Sequence, residues 1–133
     1  MSQLNNIDDK ARYENAYYAI GKCAEQFYLF APNIPQNLCK IVQNIHGRFD
    51  EALYYVFAVC NSYDIKEKIA CLEKAHDCLF FQQSSLYLLV KSHGISVGQA
   101  NNVIVCIRDA YTQVNKWKNS LVKNQRKSVE EAG

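Results

Sequence analysis

The sequence predicts an all-α protein, folded as an antiparallel up-down-up-down four-helix bundle. Three observations predict this fold. The 133 residues fit one domain, and 49% of them are hydrophobic, which is enough for a chain of this size to bury a core. Only five glycines and two prolines occur, so long uninterrupted stretches favour helices over a many-turned β fold. Four of those stretches repeat apolar residues at helical spacing.

The first helix is predicted from about Asp8 to Phe30, with Asp8 and Asp9 at the positive end of the helix dipole. Gly21 lies inside the apolar pattern, and we expect it to mark a close approach to a neighbouring helix. The apolar stripe contains Tyr13, Ala16, Tyr17, Ile20, Cys23, Ala24 and Phe27. Pro32 and Pro35 then predict a corner, because proline disfavours helical angles in the residue before it.

The second helix is predicted from about Pro35 to Asn61, with Pro35 in its first turn. Gly47 interrupts the stripe, but the apolar residues stay in phase across it. The stretch Leu53–Cys60 is almost wholly apolar. Such a wide apolar surface predicts burial on more than one side, either in the core or against another subunit.

The third helix is predicted to begin after Asp64, which with Glu67 resembles a capping box, and to end at about His93. Gly94 has the residue type favoured just beyond a helix end. The apolar face includes Ile69, Leu72, Ala75, His76, Leu79, Gln83, Leu86 and Val90, and it is widened by Phe80, Tyr87 and Leu89.

The fourth helix is predicted from about Val97 to Lys123, and Ser96 with Gln99 forms a second capping-box pattern. Its stripe contains Ala100, Val103, Ile104, Ile107, Ala110, Tyr111, Val114, Trp117 and Leu121. Residues 124–133 are polar and of mixed charge, which predicts a disordered tail. The bundle domain is therefore expected to span residues 1–123.

Composition also limits the class of protein. The first ten residues lack the apolar core of a signal peptide, and the longest apolar runs are too short to span a bilayer. We therefore expect a cytoplasmic protein that does not enter a membrane. The six cysteines form no CxxC pair, and in a reducing compartment they are expected to be small buried hydrophobes rather than disulfides or metal ligands.

The formal charge of +2 does not by itself indicate a nucleic-acid binder. The segment 108–127, however, has a net charge of +5 and the rest of the chain −3. The candidate nucleic-acid-binding residues are the basic ones of this segment: Arg108, Lys116, Lys118, Lys123, Arg126 and Lys127. Two purely structural roles stay open for them, because lysine near a helix C-terminus suits the dipole and charges are common on solvated faces. Trp117 is a candidate for base stacking, or else a core or interface residue.

No catalytic or metal motif is recognisable. His46, His76 and His93 lack a second ligand at metal-binding spacing, and His76 is expected to be a buried, hydrogen-bonded histidine. Glu73 and His76 spell Glu-x-x-His once, whereas a di-iron bundle needs two copies. We therefore expect a non-enzymatic protein without a cofactor. An enzyme or metal carrier with a site inside the bundle remains the alternative, and a small helical regulator of the toxin–antitoxin kind is a third hypothesis.

Several local features carry a family resemblance. They are Arg12-Tyr13-Glu14 at the start of the first helix, the aromatic run 27–30 at its end, the Ile34-Pro35 corner, Gly94-Ile95-Ser96 before the fourth helix, and Trp117 late in that helix. Over residues 11–123 the chain resembles the four-helix-bundle family that includes the accessory protein of diversity-generating retroelements (Avd). It is similar as well to the bundle proteins encoded in intervening sequences of bacterial 23S ribosomal RNA genes.

The resemblance implies an accessory protein that assembles with copies of itself, as a pentamer. It also implies a reverse transcriptase and RNA or DNA as partners. The sequence thus leads to the expectation of a homo-oligomeric helical adaptor, with the basic end of the fourth helix as its candidate nucleic-acid contact.

Overall fold

The computed structural model describes residues 7–132, and within them it contains four α-helices and no strand. The helices are α1 (Ile7–Tyr28), α2 (Cys39–Val59), α3 (Ile65–Lys91) and α4 (Val97–Ala132). Two short 3₁₀ turns, Ala31–Asn33 and Gln36–Leu38, connect α1 to α2. The predicted all-α four-helix bundle is confirmed.

The four helices pack in a closed ring. Each helix contacts its neighbour in the chain, and α4 returns to pack along α1. The connections 60–64 and 92–96 are short, so consecutive helices run antiparallel. This arrangement brings the first turns of α1 beside the second half of α4.

The core is formed by the predicted apolar stripes. Phe27, Phe49, Leu79, Ile107 and Trp117 are all fully buried. They represent each of the four helices, so the stripes converge on one continuous core. Burying a side chain of this size contributes roughly 1.5–3 kcal/mol to the free energy of unfolding.

Hydrogen bonds at the start of α3 and α4 explain where these helices begin. The Asp64 carboxylate accepts from the backbone N–H of Lys66 at 3.0 Å, as expected of an N-cap. Glu67 was predicted to complete a capping box with Asp64. Its carboxylate instead accepts a hydrogen bond from the Ser62 hydroxyl at 2.9 Å. Before α4, Ser96 and Gln99 exchange reciprocal bonds of 3.0 and 2.9 Å, which confirms the predicted capping box.

The end of α3 corrects the role predicted for Gly94. The residue with a left-handed backbone is His93, whose φ is 62°. The N–H groups of His93 and Gly94 donate to the carbonyls of Val90 and Leu89 at 3.0 and 2.8 Å, which forms a Schellman motif. Glycine at position 94 leaves room for Leu38, because a Cβ there would lie 2.7 Å from Leu38 Cδ1 and the leucine side chain would have to shift.

The role predicted for Gly21 is also corrected. A Cβ at this position would meet no atom of a neighbouring element within 4 Å, among the residues described. The glycine therefore does not mark a close helix approach.

Two helix bounds differ from the prediction. The α-helical part of α2 begins at Cys39 rather than at Pro35, because the residues after the proline form a 3₁₀ turn. α4 continues past Lys123 to Ala132, so the residues predicted as a disordered tail, 124–133, are helical as far as 132. Gly133 lies outside the described residues. Residues 126–131 are exposed, which explains why they carry no apolar pattern that would have revealed the helix.

Candidate functional site

Two of the six candidate basic residues share a groove between α1 and α4. Lys116 and Lys123 line it together with Arg12 of α1, and Asn119 and Ser120 complete its wall. The groove has a volume of about 420 Å³. We call it the basic groove. Lysine and arginine beside amide and hydroxyl groups are the side chains that usually contact nucleic-acid phosphates.

The other four candidate residues lie outside this groove. Arg108 lines a different groove between α3 and α4, with Tyr87 and Tyr111. Lys118 is half-buried, whereas Arg126 and Lys127 are exposed on the last turns of α4. The six residues thus follow one helix, but the structure does not gather them into one site.

Arg12 was missed because it is distant in sequence from the basic segment. The signal available was indirect. In an up-down-up-down bundle the first helix packs antiparallel to the fourth, so its first turns meet the fourth helix near its C-terminal end. Trp117 lies there too, but it is fully buried against Tyr13, which places it in the core and excludes base stacking in this conformation.

The second half of α3 presents an apolar surface to solvent. Phe80, Phe81, Tyr87 and Leu88 are 58%, 52%, 54% and 49% exposed, and they surround the exposed Ser84. We call these five residues the α3 aromatic face. Single exposed apolar residues are ordinary, but a contiguous group of large ones marks an interaction surface.

Neighbouring side chains hold the α3 aromatic face in place on both flanks. The guanidinium of Arg48 in α2 lies 5.2 Å from the Phe81 ring centroid, a cation–π contact. On the α4 side, the His76 ring stacks on Phe80 with centroids 5.9 Å apart and meets Tyr111 edge-on at 5.3 Å. Phe80 and Phe81 are therefore oriented before any partner arrives, which lowers the entropy that these two side chains lose on binding.

Sequence patterning predicted part of this surface, as residues that widen the apolar face of the third helix. Of the three residues expected to widen the apolar face, Leu89 is fully buried, but Phe80 and Tyr87 point to solvent. In α2 the wide stretch Leu53–Cys60 likewise buries Val56 and Val59 and exposes Tyr54 and Phe57 by 64% and 52%. The expectation of burial on more than one side is not met within one subunit.

Burial makes four of the six thiols weak nucleophiles. All six cysteines lie in the described residues and are unpaired. Burial raises the pKa of Cys23, Cys60, Cys71 and Cys78, and a raised thiol pKa lowers the fraction of nucleophilic thiolate. Nearby Glu51, 3.5 Å from the Cys78 sulfur, raises the pKa of that thiol further.

The histidines lie apart from one another. His76 is half-buried, with its Nδ1 3.3 Å from Oδ1 of Asp77, so the adjacent carboxylate reaches it although the two residues point along different faces. His46 contacts Phe27 and Tyr28, and burial lowers its pKa while Asp50 opposes that shift. Among the described residues, no three His, Cys, Asp or Glu side chains converge as a metal site.

In the described part of the chain, no helix combines the length and apolar character needed to cross a bilayer. Comparisons with protein-family models, curated proteins and solved structures found no match. The two surfaces best suited to carry a function are the α3 aromatic face, because of its exposed apolar side chains, and the basic groove, because of its grouped positive charges.

Proposed function

We propose that this protein is a non-enzymatic, cytoplasmic helical-bundle accessory protein that assembles with copies of itself and binds other macromolecules. The α3 aromatic face carries the proposal. Its four large apolar side chains are each about half exposed, and covering them removes apolar surface from water at about 25 cal/mol per Å². Aromatic residues are also enriched at the centres of protein interfaces.

The basic groove supports the second part of the proposal, a nucleic-acid partner. Arg12, Lys116 and Lys123 concentrate positive charge at one place on a chain whose net charge is only +2. A reverse transcriptase as protein partner, RNA or DNA as ligand and a pentameric assembly follow from the resemblance to the Avd family.

Measuring the molar mass by light scattering during gel filtration tests the assembly. We expect a species larger than a monomer at concentrations up to about 100 µM, the range in which small interfaces associate. The double variant Phe80→Arg/Leu88→Arg should be monomeric, because it buries charge in the contact.

Tyr18→Arg is the matched control, since Tyr18 is 75% exposed on α1 and lies outside the α3 aromatic face. This variant should assemble like the original chain. A monomeric original chain over the whole concentration range, or equal assembly of both variants, would contradict the proposal.

A further inference from the structure

The α3 aromatic face is symmetric about Ser84. Phe80 and Phe81 lie four and three residues before this serine, and Tyr87 and Leu88 lie three and four residues after it. All four large side chains are exposed, and the residue at the centre, Ser84, has a small side chain. A helix that is turned end over end about Ser84 therefore presents the same pattern again.

The two flanks of α3 obey the same symmetry. Phe81 faces the α2 side, where it contacts Arg48, and Leu88 lies seven residues further on the same side of the helix. Phe80 and Tyr87 border the groove on the α4 side. Each flank thus carries one large apolar residue before Ser84 and one after it.

Opposite charges stand at the two ends of the face. Asp77 lies seven residues before Ser84 and Lys91 seven residues after it, and both are exposed. The Asp77 side chain is 81% exposed. In an antiparallel pair of α3 helices centred on Ser84, each aspartate comes opposite a lysine. A parallel pair would instead set like charges against each other, which is destabilising.

We infer that the α3 aromatic face binds a second copy of this chain, with the two α3 helices antiparallel and a two-fold axis passing beside Ser84. Phe81 then packs on Leu88 of the partner subunit, and Phe80 packs on Tyr87 of the partner subunit. Asp77 pairs with Lys91 of the partner subunit, and the contact occurs twice by symmetry. The inference rests on the proposed self-association, and it takes a two-fold pair in place of the pentamer that the resemblance implies, because a ring of five needs two different contact surfaces on each subunit.

The small size of the contact indicates a weak dimer. Asp77 and Lys91 are fourteen residues apart in the helix, so the paired segment is about 21 Å long. Two helices with a small residue at the crossing approach to about 8 Å. One helix face from each subunit gives an interface at the small end of the usual range, for which a dissociation constant of micromolar order is expected.

Charge reversal tests the pairing by sedimentation equilibrium of the full chain. Asp77→Lys and Lys91→Asp should each weaken the dimer roughly tenfold, because each turns two exposed ion pairs into two repulsive ones. The double variant Asp77→Lys/Lys91→Asp should restore the affinity to within about threefold, since the swapped charges meet again. Circular dichroism confirms that each variant is folded.

Glu25→Lys is the matched control for charge. It makes the same change at an exposed position of α1, a helix that packs mainly on α2 and α4. Its effect should be small at physiological salt, where charges farther apart than about 8 Å are screened.

Cross-linking tests the axis directly. Ser84→Cys should give a dimer on non-reducing electrophoresis after mild oxidation, since the two introduced cysteines face each other across the axis. Ser128→Cys, exposed near the end of α4, controls for random contact and for the native thiols. It should not cross-link above the level of the original chain.

The outcomes separate this inference from the proposed function. A dimer with charge rescue and a Ser84→Cys cross-link supports both. An assembly of another size, or a dimer that is insensitive to these changes, overturns the two-fold pairing and leaves self-association in place. A chain that is monomeric throughout overturns both.

Discussion

Trp117 illustrates how single residues connect distant parts of this bundle. Its ring is fully buried, and its indole N–H donates to the Asp9 carboxylate at 3.3 Å. This contact ties the first turn of α1 to the second half of α4. A buried indole needs such an acceptor, because an unsatisfied donor costs about 1–3 kcal/mol.

Glycines 21 and 94 give a paired prediction on stability. Gly21→Ala should raise the free energy of unfolding by about 1 kcal/mol, because alanine is the better helix former and no neighbouring element obstructs the new methyl group. Gly94→Ala should lower it by about 1 kcal/mol, because the methyl group would meet Leu38 Cδ1 at 2.7 Å. Urea unfolding measures both, and equal effects of the two changes would contradict this packing.

His46 gives a prediction on pH dependence. Its Nδ1 is buried without a hydrogen-bond partner among the described residues, and burial lowers its pKa below the ordinary 6.5. The unfolded chain therefore binds a proton at His46 more readily than the folded chain. The stability gained from a neutral His46 is present above about pH 6.5 and is lost as the pH falls from there through the lower folded pKa.

The measurement compares the original chain with His46→Phe, which keeps a ring beside Phe27 and Tyr28 but cannot titrate. Urea unfolding is measured at several values between pH 5 and 7.5. The free energy of unfolding of the original chain should fall relative to the variant as the pH decreases. A difference that is constant across this range would show that His46 keeps its ordinary pKa when the chain folds.

At the scale of single elements, the start of α4 is specified by its capping box. Ser96→Ala should lower the free energy of unfolding by about 1 kcal/mol, because it leaves the Gln99 N–H without its acceptor. Ser128→Ala, at an exposed position of the same helix, should change it by less than about 0.5 kcal/mol. Thermal unfolding measures both variants, and a Ser96→Ala chain as stable as the original would show that this cap does not stabilise α4.

The reciprocal bonds make a further test of the same element. Gln99→Ala removes the acceptor for the Ser96 N–H. In the double variant Ser96→Ala/Gln99→Ala the losses should not add, since residues of one hydrogen-bond network are coupled. Additive losses would indicate two independent contacts.

At the scale of the whole molecule, the antiparallel ring of helices assembles the basic groove. If the groove contacts phosphates, binding to mixed RNA weakens as salt rises, because phosphate contacts release counterions. The double variant Lys116→Glu/Lys123→Glu should weaken RNA binding at low salt at least tenfold. It should also reduce the slope of the logarithm of the RNA association constant against the logarithm of the salt concentration.

The matched control is Lys40→Glu/Lys66→Glu, which makes the same charge change at exposed lysines of α2 and α3, outside the groove. It should reduce RNA binding far less than the groove variant. Equal losses in both variants would show a general charge effect, and no binding of the original chain even at low salt would end the nucleic-acid hypothesis.

Most of the fold was predictable because it depends on local signals. Helical spacing located the four helices, and the residue pairs Asp64 with Glu67 and Ser96 with Gln99 located the starts of α3 and α4. The end of α4 at Ala132 was not predictable in the same way, since its last turns are exposed and have no apolar stripe. Which residues beside the stripe are buried also depends on neighbouring helices, so the pattern predicted that Phe80 and Tyr87 widen the apolar face of α3 but not that they are exposed.

The sequence by itself determined the fold class, because apolar periodicity and capping residues act within a few residues of each other along the chain. It also identified Lys116 and Lys123 as candidate basic residues. Only the tertiary structure decided that Arg12 joins them, that Arg108 does not, and that Phe80, Phe81, Tyr87 and Leu88 form one exposed face around Ser84. The physical reason is that these groupings depend on how separate helices pack and rotate against one another, which no local pattern encodes.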